Sequence, residues 1–358
     1  MTRDPIIDRA EEDVKKMIKG KKEDKVRYTA DFETLVDVVS DQGVSKFLLF
    51  NGDVVDQTVV DDITYSPPKK ESLAFKLPDY KGVLKYSSLH STDGSGAFDG
   101  SDGTGGCLQD TKLFDDLIEY HKESSELPDE KLYVLMAAWD FHTHLLEKFD
   151  YSPILFFGGL PEKGKSRMAR SLVYVSRRGI IKASISDAQL IREAKDHNAA
   201  IFFDMTNFWK SIERSGSEDI ILSRFEKGLK VARVKYPEKE AFEDMVYYSV
   251  FGPSIIGSNE PLDQILGTRV ITIIMRQATR KFKKVVDEEK GTKLRNALVA
   301  WRLKHFNDTI PEVEKISNGR FGDILQPLHQ IILMVAPKYE PDFKEMVEQL
   351  DKRRLASK

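Results

Sequence analysis

The chain has 358 residues, long for a single compact unit, so two or three packed units are expected. Apolar residues at 41% suffice for real cores, while 55 Lys and Arg against 58 Asp and Glu leave a net charge of −3, which excludes a strong field over the whole molecule and assigns any polyanion binding to a local basic surface. A single cysteine, Cys107, excludes an intrachain disulfide framework and a thiolate metal cluster, and fits a reducing compartment.

The segment Met1-Thr2-Arg3-Asp4-Pro5 lacks the apolar region of a signal peptide, and no apolar run approaches bilayer length. A soluble cytoplasmic protein with no membrane contact is therefore expected. Residues 5–24 read as a charged helix ending in Lys19, Lys21 and Lys22, a linker or docking arm. From Phe32 to Asp62 the β-branched alternation and turn residues predict a small α/β unit, with Asn51-Gly52-Asp53 as a hairpin turn between Phe47–Phe50 and Val54-Val55. Thr92–Gly106 is a Gly/Ser/Asp-rich connector. Its Asp93, Asp99 and Asp102 do not follow an EF-hand, because the sixth position is Phe98 and the twelfth is Thr104. The expected division is an N-terminal unit at 1–91, a linker at 92–110, an α/β core with leading helices at 111–280 and a helical region at 281–358.

Two helical patterns follow the connector, Asp115–Ser124 and Glu130–Lys148, the second with Leu132, Met136, Trp139, Thr143 and Leu146 along one stripe. His142 and His144 are two apart, hence on different faces, which argues for helix packing rather than metal chelation. The core then alternates: strands are predicted at 153–158, 180–185, 199–203, 254–258 and 270–275, and helices at 165–177, 187–196 and 217–227.

The stretch Gly159-Leu160-Pro161-Glu162-Lys163-Gly164-Lys165-Ser166 reads G-x-x-x-x-G-K-S between the apolar strand Ile154–Phe157 and a helix from Lys165, the context that a phosphate-binding loop requires. Gly159 and Gly164 let backbone N–H groups approach a phosphate chain, and Pro161, Glu162 and Lys163 complete the loop. Lys165 is placed to reach the β- and γ-phosphates at the helix N-terminus, Ser166 to hold Mg²⁺, and Arg167 to line the same turn. Ala199–Phe203 ends in Asp204, a carboxylate suited to anchoring Mg²⁺. Met205 follows it, so the base that polarises water is left among Asp204, Glu260 and Glu162.

Ser254–Ser258 is an apolar strand tipped by Asn259, an amide able to bond a γ-phosphate or a water. Arg269 precedes the strand Val270–Met275, where it serves either as a surface ion-pair partner or as a guanidinium facing a neighbouring subunit. The segments 285–305, Phe321–Val335 and Asp342–Leu355 read as helices.

Phosphate loop, strand-end Asp, Ser-Asn strand tip and Arg before the last strand, in that order, resemble the AAA+ ATPases. Within them the chain is similar to superfamily 3 helicases and the helicase halves of phage and plasmid primase-helicases, over about residues 130–336. The stretch Gly319–Leu328 also resembles the helical region after the ATPase in mobile-element helicase proteins. The resemblance implies an α/β P-loop NTPase core of AAA+ type with a parallel sheet, ATP and Mg²⁺ as ligands, and a homo-oligomeric ring, a hexamer in such proteins. It further implies Arg269 acting in trans and a DNA-touching hairpin, which Arg224–Val250 matches with Lys230, Arg233 and Lys235 at near-alternate spacing. The partner implied is single-stranded or forked DNA. Residues 1–110 show no primase carboxylate cluster. The competing expectation is a P-loop nucleotide switch acting on a protein partner; Met205 and the acidic net charge favour it.

Overall fold

The computed structural model describes residues 26–88, 108–184, 186–238, 240 and 243–356. The charged segment 5–24, the connector Thr92–Gly106 and Cys107 lie outside the described residues, as do three positions near the hairpin tip.

The N-terminal strands are β1 (Arg27–Tyr28), β2 (Leu35–Asp41), β3 (Val44–Leu49), β4 (Val54–Val55), β5 (Thr58–Val60) and β6 (Ile63–Ser66), followed by helix α1 (Tyr80–Ser88). They form two small sheets, β2-β3-β4 and β1-β6-β5. β3 runs antiparallel to β4 across the Asn51-Gly52 turn, where Gly52 takes φ 88°, as the sequence predicts. A second tight turn, Gln42-Gly43 with φ 50° and 86°, joins β2 to β3.

Helix α2 (Leu108–Ser124) leads to α3 (Leu132–His144), and every residue of α3 is buried. An apolar stripe predicts one covered face; here the helix is enclosed on all sides, because its polar groups find internal partners. His142 Nε2 lies 3.0 Å from Ser152 Oγ, His144 Nε2 lies 3.1 Å from Val175 O, and Asp140 Oδ2 lies 2.6 Å from His121 Nε2. Trp139 donates its indole N–H to Pro153 O at 3.0 Å, tying α3 to the strand that follows.

That strand is β7 (Ile154–Gly158). After it come α4 (Lys165–Val175), β8 (Ile180–Lys182), α5 (Asp187–His197), β9 (Ile201–Asp204), α6 (Phe208–Ser215), α7 (Glu218–Ser223), the antiparallel pair β10 (Lys230–Val234) and β11 (Met245–Ser249), β12 (Ser254–Ser258), α8 (Gln264–Gly267) and β13 (Val270–Ile274). The helix predicted at 217–227 is only α7, and α6 before it is a further helix: Gly216, in the left-handed region at φ 65°, ends one and separates the other.

Five strands form an all-parallel sheet in the order β13-β7-β12-β9-β8. Strands β7 and β12 are buried along their whole length, which explains why both read as continuous apolar runs. Arg224 fastens the lower edge of this sheet. It is fully buried and donates to Ser254 Oγ at 2.7 Å, Ala199 O at 2.8 Å, Pro253 O at 2.9 Å and Val250 O at 3.1 Å.

The chain closes with α9 (Glu288–His305), α10 (Gly319–Val335) and α11 (Glu340–Ala356). Helix α9 packs on α1 and α4, and its Arg302 donates to Val36 O at 2.8 Å and to Glu147 Oε2 at 2.9 Å. Arg177 and Arg178, just past the end of α4, meet Asp37 of β2: Arg178 Nε bonds Asp37 Oδ1 at 2.8 Å and Arg177 Nη1 bonds Glu147 Oε1 at 2.6 Å. A buried network of charges therefore joins the N-terminal sheet, the helix after the glycine loop and α9. Among the described residues no helix is long and apolar enough to cross a membrane.

Candidate functional site

Parallel pairing brings the predicted phosphate-loop, Asp204 and Asn259 positions together at the carboxyl end of the sheet. Ser258 pairs with Gly158 and Gly257 with Asp204, so the loop after β7, the tip of β12 and the end of β9 lie side by side. The strand order makes this possible, since β12 is inserted between β7 and β9 and sets Asn259 between Gly159 and Asp204. In open α/β sheets ligands sit at such carboxyl ends.

The loop is built on residues with unusual backbone angles. Gly159 takes φ 132°, Glu162 φ 63° and Gly164 φ 86°. A Cβ at Gly159 would stand 2.8 Å from Met275 O, and one at Gly164 would stand 2.9 Å from Ser125 Oγ, so both glycines are required by close approach as well as by conformation. Gly164 caps α4 without a side-chain acceptor, which leaves the first-turn N–H groups of that helix available to an anion. Leu160, Pro161 and Glu162 are exposed at the loop crest.

Lys165 is buried and its ammonium donates to Gly159 O at 2.8 Å and Leu160 O at 2.6 Å, while burial lowers its pKa from the ordinary value. Ser166 Oγ donates to Asp204 Oδ1 at 3.0 Å, so the two residues expected to hold the metal are in contact across 38 positions of sequence. A hydroxyl and a carboxylate oxygen are donors of the kind Mg²⁺ takes, and the pair fits it. Arg170, one turn beyond Ser166, approaches Asp204 Oδ2 at 3.4 Å. This contact was missed, although the spacing of four on one helix was its signal.

Of the carboxylates considered as a base, Glu260 lies 3.6 Å from Lys210 Nζ with its own N–H on Ser258 Oγ at 3.1 Å, and Glu162 is exposed on the loop. Met205 is nearly buried beside Asp204.

Arg269 stands at the opposite end of the strands, since Val270 pairs with Ile154 at the start of β7. Its Nη1 donates to Ile265 O at 2.7 Å, its guanidinium lies 5.1 Å from the Phe225 ring centre, and burial is the largest of the influences that lower its pKa. It is thus remote from the loop of its own chain.

The hairpin residues divide. Arg233 is held in a fork: its guanidinium bonds Asp187 at 2.7 and 2.8 Å and Asp219 at 2.8 and 3.0 Å. The charge of Arg233, expected to contact phosphates, is here matched by two carboxylates. Strand periodicity also sets Lys230 on the face opposite Arg233 and Lys235. Lys230 and Lys235 are exposed, and the Lys230 face carries exposed Val234, Met245 and Tyr247.

The segment after β13 packs beside the loop, a neighbourhood that motif reading passed over because the segment has no recognisable spacing. Arg167, expected to line the loop turn, donates through Nε to Ser124 O at 2.9 Å and lies 5.1 Å from the Phe282 ring. Lys163 bonds Gln277. Glu126 accepts from Thr279 N at 3.0 Å, Thr279 Oγ1 at 2.9 Å and Arg280 N at 3.2 Å.

No protein-family model and no curated protein matches the chain. Among solved structures, an inhibitor-bound JCV helicase is similar at 14% identity and TM-score 0.34, over 76% of this chain and 68% of that one. The C-terminal region of NrS-1 is similar at 12% identity and TM-score 0.32, over 81% of this chain and 72% of that one. Such overlaps are partial in shape as in sequence.

Proposed function

We propose that the chain is a Mg²⁺-dependent ATPase of the AAA+ kind, working as a ring-forming nucleic-acid motor. The observation that carries the nucleotide reading is the convergence of the Gly159–Ser166 loop, the Ser166–Asp204 contact and the Asn259 strand tip at the carboxyl end of the sheet. The N–H groups of the loop and of α4 receive the phosphates. Lys165 exchanges its two carbonyl partners for phosphate oxygens, a favourable exchange for a partly desolvated cation. Ser166 and Asp204 would hold Mg²⁺, which would supply neutralisation of phosphate charge. Asn259 bonds the γ-phosphate or orients water, and no carboxylate follows Asp204, so turnover is slow without a partner.

Arg269 cannot serve its own chain, being at the far end of the strands. Its role is in trans, on the nucleotide of an adjacent subunit, after leaving Ile265 O and Phe225. Lys230 and the exposed Tyr247 face supply the contact to a single strand, Lys235 adds a cation from the other face, and Arg233 holds the hairpin against α5 and α7.

One observation favours a second reading, a nucleotide switch on a protein partner: the central cation of the hairpin is neutralised, and its open face is largely apolar. Turnover measured with and without single-stranded DNA separates the two. In the motor reading, Lys165→Ala abolishes hydrolysis, and mixing Lys165→Ala with Arg269→Ala subunits restores part of it. Absence of rescue at every ratio removes the trans role of Arg269; DNA-insensitive turnover favours the switch.

A further inference from the structure

The segment from Arg276 to Lys284 crosses the side of the nucleotide loop as a strap pinned at several points. Met275 N donates to Gly158 O at 2.8 Å, Gln277 meets Lys163, Glu126 holds Thr279 and Arg280, and Phe282 is packed under the guanidiniums of Arg167 and Arg280 at 5.1 and 4.8 Å. Its backbone is fixed from below, and Arg276, Lys281, Lys283 and Lys284 are exposed.

Among the described residues none of these four cations has a carboxylate within ion-pair distance, in contrast to Arg233. The acids that follow in sequence do not balance them. Asp287 caps α9 by accepting from Lys290 N at 2.9 Å, Glu288 pairs with Lys76, and Glu289 pairs with Lys293 at 2.7 Å. In a chain of net charge −3 this is a local, uncompensated positive strip.

We propose that this strap is a second nucleic-acid contact, which binds the phosphate backbone of a single strand beside the nucleotide loop. Charge number selects the partner: four exposed cations within nine consecutive residues offer separate sites to successive phosphates, which suits an extended polyanion better than one nucleoside triphosphate. The only aromatic ring on the strap, Phe282, is already engaged by two guanidiniums, so the contact is made by charge rather than by base stacking and carries no sequence preference. Gly159 and Met275 are in such close approach that the strap moves with the loop, which makes strand affinity respond to the bound nucleotide. That last coupling rests on the nucleotide reading; the binding itself does not.

The test is fluorescence anisotropy of labelled dT20 with nucleotide-free protein between 50 and 200 mM KCl. Four proteins are compared: wild type, Lys165→Ala, the hairpin pair Lys230→Gln/Lys235→Gln, and the strap set Arg276→Gln/Lys281→Gln/Lys283→Gln/Lys284→Gln. Each single-strand phosphate contact contributes about 0.7 to the slope of log K against log salt, so the strap set is expected to flatten that slope by up to about 2.8 and to bind dT20 and dA20 alike. The strap set keeps the wild-type urea-unfolding midpoint, read from the fluorescence of buried Trp139 and Trp301, which shows that it is folded. A strap set with the wild-type slope, or a wild type that fails to bind dT20 at 50 mM salt, overturns the proposal. A wild type that binds dT20 through the strap but does not hydrolyse ATP upholds it and removes the motor reading instead.

Discussion

Replacing Asp37 by alanine tests how the N-terminal sheet is joined to the parallel-sheet core. Asp37 is 1% exposed. Its burial would raise the carboxyl pKa, but the guanidiniums of Arg178, Arg177 and Arg302 overcome that and hold it below its ordinary value. Removing the carboxylate leaves Arg178, whose Nε and Nη2 both lie 2.8 Å from Asp37 Oδ1, buried without its acid, and leaves Glu147 as the carboxylate facing Arg177 and Arg302. Stranding a buried charge in this way costs about 3–5 kcal/mol, a large share of a total stability of roughly 5–15 kcal/mol. Urea unfolding followed by the fluorescence of buried Trp139 and Trp301 should show the midpoint falling by about 1–2 M. The double variant Asp37→Ala/Arg178→Leu should recover much of the loss, because the stranded cation goes with its partner. A single variant within about 0.3 M of wild type, given the precision of such midpoints, would refute the claim that this network is one structural unit.

Further outcomes follow from other parts of the molecule. Burial pushes the His142 and His144 pKa values down to about 3, against 6.5 for the free side chain. The unfolded chain therefore binds these protons first, so the stability they allow is full above pH 6.5 and is lost as pH falls toward 3. At pH 5 the loss is about 2 kcal/mol for each relative to pH 8. Unfolding midpoints should fall over that interval, with about half of this component removed in His142→Gln; a flat profile contradicts the burial of neutral imidazoles. Gly159→Ala places a methyl 2.8 Å from Met275 O at φ 132°. It should weaken nucleotide binding at least tenfold in a fluorescent-nucleotide titration, and wild-type affinity would show that the loop is not the site.

What the sequence made legible was what neighbours in sequence determine. The apolar run Ile154–Phe157, two glycines five apart and a following helix announced the loop, and the run ending at Asp204 announced the strand end. Strand order was hidden, because parallel pairing of β7 with β12 and β13 joins segments about a hundred residues apart and leaves no local trace. The partners of Arg233 were hidden for the same reason: its acids are 46 and 14 positions away, and an alternation of cations looks the same whether or not carboxylates wait across the fold. Helix α3 showed its apolar stripe, and the spacing of His142 and His144 pointed to packing, but their partners Ser152 and Val175, like His121 for Asp140, lie on other elements and left no local trace. The strap at 276–284 was visible as charge and invisible as position, since nothing in its spacing says that it lies against the loop.

The most direct test of the proposed nucleotide site is Asp204→Asn, which keeps the shape of the side chain and its place by Ser166 while removing the charge. Steady-state ATP turnover with Mg²⁺ should fall at least about a hundredfold, with nucleotide affinity within roughly tenfold of wild type, as expected when a group serves the transition state more than the ground state. Turnover equal to wild type at saturating Mg²⁺ would contradict the assignment of Asp204 and Ser166 as the metal-holding pair, and with it the site as a whole.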